Sequence, residues 1–450
     1  MSGQKLKFGL YLLCALCAIL ASALHAPGQL SFDTTVELFE ASTHHSVSWS
    51  PPFLSALMAW LGGGLVATSM IVAINCFVTY GSFGAFVREG VTFGWARALV
   101  CAVLILNPVI FAYVGIVWKD VVFATWLVCS LTLCLAADRA VAPRSRLVML
   151  ATTCIVLGVG SLIRQQGALL GPLLMLAPLC IIVRTSARVR RVGHCVLAIA
   201  LYALSVFVAS WAANTTIAGN DGRDLSVAPG VIQTYDIAGV VARLPSDVAL
   251  RTIPGLLPED DANIRSEYTP ARADFLNPAG LLERLPQHSG MSLRQIWWHV
   301  VSEYPLLYLR HRAALMAYMI GARDVMQCVP THVGIQGGAE YLKADGLSEE
   351  VGPRARFLYE GEQFFIHSPV WRHWLYLGIL AICTVAALRR KRAPGHTTLL
   401  VFMFTLWIFV AGFVPTAIAC DFRYLYPVVP TITGIAIVLL TGRGALSARE

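Results

Sequence analysis

Charge is scarce in this chain of 450 residues: 13% are Asp, Glu, Lys or Arg, where a soluble domain carries about a quarter. With 57% hydrophobic residues and a mean hydropathy of +0.66, that scarcity excludes a soluble globular protein and a disordered chain. Period-two alternation over ~10-residue segments is also missing, which excludes a membrane β-barrel. There is no internal repeat and no low-complexity tract. A disulfide framework is absent as well. Ten of the twelve cysteines lie in or beside apolar runs, and only Cys328 and Cys420 do not. Those two can pair if both face an oxidising compartment.

What remains is a series of apolar runs of sixteen or more residues, and a bilayer core takes ~20 residues to cross. The fold class expected is an all-α polytopic membrane protein. Ten spans are read, at 8–24, 53–78, 98–114, 121–137, 147–162, 168–183, 196–213, 370–388, 397–418 and 425–440. The cations then collect on alternate loops. One side receives Lys5 and Lys7, Arg88 and Arg97, Arg139, Arg144 and Arg146, and Arg184, Arg188, Arg190 and Arg191. The same side receives Arg389, Arg390, Lys391 and Arg392, and finally Arg443 and Arg449. By the positive-inside rule that side is cytoplasmic, and both termini lie there. The first run also fits a cleaved leader, since Ala21-Ser22-Ala23 resembles a processing site.

The net charge of +8 hides an asymmetry. The stretch 214–370 holds 13 Lys+Arg against 18 Asp+Glu, a net −5, so the rest carries +13. The basic excess belongs to the cytoplasmic loops and excludes a nucleic-acid surface. The organisation expected is a membrane bundle of seven spans (1–213, with a first outer loop at 25–52), an extracytoplasmic domain (214–369) and a bundle of three spans (370–450). The run 305–321 is interrupted by Arg310, His311 and Arg312, and an eleventh span there would invert all later loops. It is read as an interfacial helix.

Outside 214–370 there are eight acidic residues. Asp33, Glu37, Glu40, Asp120 and Asp421 fall on the outer side, where ionisable groups at membrane depth are costly and usually functional. Cations accompany them in Trp118-Lys119-Asp120, Arg164-Gln165-Gln166 and Asp421-Phe422-Arg423-Tyr424-Leu425-Tyr426. The plainer reading is an interfacial belt with solvated ion pairs. The gathering of three Asp with outer cations at three separate loops favours a cleft. A short helix is expected at 34–42, with Asp33 or Thr34 at its N-cap, and Gly62-Gly63-Gly64 is expected to allow close helix packing inside span two.

These pieces together resemble the GT-C superfamily of membrane glycosyltransferases, in particular a bacterial branch with a D-(S/T)…WxPP-type first loop. The likeness rests on Asp33-Thr34, Trp49-Ser50-Pro51-Pro52, Trp118-Lys119-Asp120, Arg164-Gln165-Gln166-Gly167 and Arg423-Tyr424-Leu425-Tyr426-Pro427. It implies transfer of a sugar from a polyprenyl-phosphate donor to a glycan, lipid or protein acceptor at the outer face of the inner membrane. Asp33 is implied as the base, with Asp120 and Asp421 in the catalytic set. Lys119, Arg164 and Arg423 are the candidates for phosphate, flanked by Trp118, Tyr424 and Tyr426. Many relatives carry paired acids in the first loop, whereas here Asp33 stands alone with Glu37 one turn later. A divalent cation (Mg or Mn) is therefore left open. The rival readings are a lipid-linked-glycan polymerase or ligase, a secondary transporter and a non-catalytic scaffold.

Overall fold

With no water in the bilayer core, each crossing segment must satisfy its own backbone, and only helices do so one segment at a time. The computed structural model describes residues 3–48, 50–89, 94–219, 227–274, 280–389 and 395–442. Trp49, Arg390, Lys391, Arg392, Arg443, Arg449 and Glu450 lie outside the described residues. Among the described residues, seven helices are long and apolar enough to cross a membrane. They are Gly3–His25, Gly64–Arg88, Trp95–Tyr113, Lys119–Arg139, Gly167–Thr185, Arg188–Thr216 and His396–Thr416. Pro143–Gly160, His373–Arg389 and Val428–Thr441 stand where the fifth, eighth and tenth spans are expected. The chain is an all-α polytopic membrane protein. Its few β contacts are isolated backbone bridges.

Val428–Thr441 has 14 residues and rises about 21 Å, less than the bilayer core. Nearly all of it is buried, so it serves as the central post of the bundle and meets little lipid. Arg188–Thr216 is the opposite case: only 11% of its apolar window is buried inside the protein. The second span begins later than the sequence suggests. Gly62, Gly63 and Gly64 adopt φ of +97°, +69° and +50° and have open space around them. They therefore form a turn that separates a short helix, Phe53–Trp60, from the span Gly64–Arg88, and they do not mediate close packing.

The ends of the bundle differ. At the basic end Lys7 Nζ donates to the Arg88 carbonyl at 2.9 Å, and Arg184 pairs with the buried Asp138. At the other end the segment between spans seven and eight packs on the helix termini through polar contacts. Buried Asp236 forms an ion pair with Arg312, whose Nε lies 2.7 Å from it, and accepts from Trp297 Nε1 at 2.8 Å. Arg312 also donates to the Ala417 carbonyl at the end of the ninth span, 2.6 Å away. The run Pro305–Met319 thus turns His311 and Arg312 inward and leaves Leu306 and Leu309 exposed. Residues 271 and 273 pair with 418 and 420 through backbone bonds of 2.8–2.9 Å, and Cys328 and Cys420 form a disulfide.

Candidate functional site

Asp33 is placed by a three-way backbone clamp. Gln29 bonds in both directions to the segment before Lys119, through Gly115 O and Val117 N at 3.0 Å each. Leu30 bonds in both directions to Gly334 O and Gln336 N at 2.9 Å. Gly28 makes the approach feasible: its φ is +112°, and a Cβ there would sit 2.6 Å from Val117. The helix Phe32–Thr43 starts at once, with Ser31 as N-cap residue and no side-chain capping bond. Asp33 is therefore in the first helical turn and is not the cap expected from sequence. Ser31 instead accepts from Trp118 Nε1 at 2.7 Å, and Thr34 Oγ1 donates to the Val117 carbonyl at 2.6 Å. At the far end Glu40 accepts from Val47 N (2.9 Å), Ser48 N (2.8 Å) and Ser55 Oγ (2.6 Å). That bonding folds the loop back and brings Ser50 to Lys119, whose Nζ donates to it at 2.8 Å.

Arg423 stands at the centre of the charges. Its Nη1 lies 2.5 Å from Asp33 Oδ2, and its Nε lies 3.4 Å from Asp421 Oδ2. The guanidinium also lies over the Trp118 ring at 5.1 Å and the Tyr424 ring at 5.6 Å. Tyr424 is shared, because Arg164 lies 5.5 Å from the same ring and 5.7 Å from Phe413. Arg164 in turn forms a buried ion pair with Asp120. Arg272 approaches Asp421 from the inserted segment at 3.8 Å. Asp33 keeps 41% of its side chain accessible, so the cluster opens at that carboxylate.

The carboxyl groups are driven apart in strength. Burial raises the Asp33 pKa, but Arg423 and Lys119 outweigh it and hold the group below the ordinary range. Asp421 goes the other way: burial outweighs Arg423 and Arg272 and lifts it. Burial pushes Glu37 up to about 8 against the pull of Lys119, with Asp33 and Glu40 adding repulsion. Glu37 therefore keeps its proton at neutral pH. Its pKa rises on folding from 4.5 to about 8, so its stabilising share is complete below pH 4.5 and is lost as pH climbs towards 8. Glu37→Gln is expected to remove that loss, at most about 1.4 kcal/mol per pH unit over this window. Thermal unfolding of both proteins in detergent across that pH range checks it, and parallel pH profiles would contradict it.

Of the residues singled out in the sequence, Asp33, Lys119, Asp421, Arg423 and Tyr424 are brought to one place. Trp118 is buried and acts as a platform under Arg423. Asp120 is enclosed with Arg164, so it is occupied as that cation's partner. Tyr426 does not reach the cluster. It is buried in the core and stacked on Tyr113 with centroids 4.4 Å apart. Glu37 was visible in the sequence as the acid one turn after Asp33, but its burial was not.

A strap at 330–336 carried no sequence signal. Pro330 O accepts from Tyr113 OH (2.8 Å) and Trp371 Nε1 (3.0 Å), and Thr331 Oγ1 donates to Glu362 at 2.5 Å. The His332 ring lies 5.9 Å from that of Trp118 and interacts electrostatically with Asp33 and Arg423. Among the described residues no group of three or more His, Cys, Asp or Glu is arranged to hold a metal ion.

No family model matches this sequence, and no curated protein matches it. One solved structure is similar. It is described as ArnT from Cupriavidus metallidurans in the apo state, and the likeness covers 96% of this chain and 76% of that one. The identity is 14% and the TM-score 0.34.

The arrangement itself defines a chemistry. Two cations, Lys119 and Arg423, stand beside one accessible, ionised carboxylate, Asp33. Such a set can grip a phosphate, stabilise charge leaving on it and accept a proton from a hydroxyl.

Proposed function

We propose that the protein is a membrane glycosyltransferase of GT-C type that moves a sugar from a polyprenyl-phosphate donor to a hydroxyl acceptor. The observation that carries this reading is the Asp33–Arg423–Asp421 cluster at one end of a membrane bundle, with Lys119 beside it. The first-loop and Arg423-Tyr424-Leu425-Tyr426-Pro427 motifs supply the family resemblance. The active face is the outer one, in the inner membrane of a bacterial cell. The loops at the opposite end hold the basic excess, and the Cys328–Cys420 disulfide fits an oxidising side.

In this reading Arg423 and Lys119 take the donor phosphate, and Asp33 accepts the proton of the acceptor hydroxyl. The pairing of Asp33 with Arg423 supplies an order of events. While the phosphate site is empty, Arg423 holds the Asp33 carboxylate and weakens it as a base. A phosphate that draws Arg423 away raises the basicity of Asp33 when the donor arrives. Asp421, lifted by burial, keeps Arg423 oriented. The anionic phosphate then leaves the anomeric carbon as the acceptor oxygen bonds to it.

A cleft of about 740 Å³ is the candidate for the polyprenyl tail. It is lined by Leu162, Ala168, Tyr202, Val206, Phe207 and Trp211, and Ser161, Leu162 and Ala168 flank the turn that carries Arg164. The helix Pro305–Met319 lines no part of it. The expected result for Asp33→Asn is a loss of transfer of about 10²–10⁴-fold with donor binding retained. Radiolabelled donor and membranes of both proteins measure it. Full transfer by the variant would remove Asp33 as the base.

A further inference from the structure

The helix Pro353–Ile366, between the strap and the eighth span, has two unlike faces. Leu358, Glu362 and Ile366 face the protein: Ile366 is fully buried, and Glu362 holds Thr331 of the strap. The other face carries Phe364, 90% exposed, Phe357 seven residues earlier at 69%, and Phe365 at 46%. Phe357 and Phe364, two turns apart, share one side of the helix, with Gly361 and the exposed Glu360 between them. Three exposed Phe on 14 residues are far from the scattered single apolar residues of an ordinary polar surface.

The position of the helix says what covers the stripe. Arg354 at its start donates to the Ala23 carbonyl at 3.3 Å and to that of Ala26, so it is tied to the site end of the first span. Its inner face packs against Pro108–Tyr113 at the end of the third. Its C-terminus runs through the turn Pro369–Trp371 into His373–Arg389, whose own outward face shows Trp374, Ile382, Val385 and Leu388. The Phe stripe is thus continuous with the lipid-facing belt of the bundle and sits at the level of the span ends.

We propose that Pro353–Ile366 lies in the leaflet at the site end, with Phe357, Phe364 and Phe365 among the acyl chains and Glu362 turned inward. The helix anchors the strap to the membrane: Glu362 fixes Thr331, next to His332, and the strap clamps Leu30 just before Asp33. This inference rests on the membrane bundle and stands independently of the reaction catalysed.

The test places a benzophenone photocrosslinking residue at position 357, 364, 382 or 323 of the full chain. The chain is reconstituted in phosphatidylethanolamine–phosphatidylglycerol vesicles that contain an alkyne-tagged phospholipid. Position 382 is the lipid-facing reference, and Arg323, in the loop after Pro305–Met319, is the polar one. Lipid adducts at 357 and 364 matching those at 382, and about tenfold above those at 323, are expected. Lipid adducts at 382 but only background at 357 and 364 would overturn the proposal. Crosslinks from 364 to a second copy of the chain would also overturn it, since the stripe would then be a protein interface. Unfolded variants are recognised by the loss of lipid adducts at 382 in the double-labelled chain, and the less disruptive Phe357→Trp and Phe364→Trp with brominated lipids then decide.

Discussion

Arg423→Ala is expected to lower sugar transfer about 10²–10³-fold, the usual loss when a preorganised charge facing a developing anion is removed. No other described cation touches two of the three site carboxylates while lying over two aromatic rings. Without it Asp33 loses its hydrogen-bonded partner, and Lys119 alone faces the donor phosphate. Arg423→Lys keeps the charge but not the planar fork, so it should recover only a small part of the activity. The readout that separates this from a folding defect is donor affinity. Phosphate grip lost with Asp33 still present should raise the donor KM and lower kcat together. A variant with normal KM and kcat would show that Arg423 is only a structural ion-pair partner.

The second large effect is on stability. Asp120→Ala is expected to destabilise the protein by about 3–5 kcal/mol, because it strands the enclosed Arg164 guanidinium. The rings of Tyr424 and Phe413 soften that loss without supplying a counter-charge. The double variant Asp120→Leu, Arg164→Met removes both charges and should regain most of the stability. It should not regain transfer if Arg164 assists the donor phosphate. Unfolding in detergent and a transfer assay on the three proteins test both statements. A single variant as stable as the parent would mean that water already reaches the pair.

Much of this architecture is written locally and was legible. Apolar runs set the spans, loop cations set their alternation, and the five acids left outside the basic loops and the inserted segment marked one end of the bundle. The Cys328–Cys420 bond was recognisable because only those two cysteines stand away from apolar runs. Other features depend on what meets what in space. The strap at 330–336 lies 300 residues from Leu30 in sequence, and its own residues give no periodic or charged signal. Glu37 and Asp33 are one turn apart on one helix, yet one is buried and the other is open. Tyr424 and Tyr426 look equivalent in the motif, but the short turn before the last span directs one between two arginines and the other into the core. The Gly62–Gly64 run was read by its size, where the positive φ values decide its role.

The central claim is that the cluster around Asp33 and Arg423 works on a lipid-phosphate sugar. The most direct measurement supplies purified protein in vesicles with radiolabelled polyprenyl-monophosphate and polyprenyl-diphosphate sugars and follows release of the lipid phosphate. Turnover of the monophosphate donor that disappears in both Asp33→Asn and Arg423→Ala is the predicted result. Turnover of the diphosphate donor alone would contradict it and make the protein a glycan polymerase or ligase. Monophosphate turnover that survives both substitutions would place the chemistry elsewhere in the molecule.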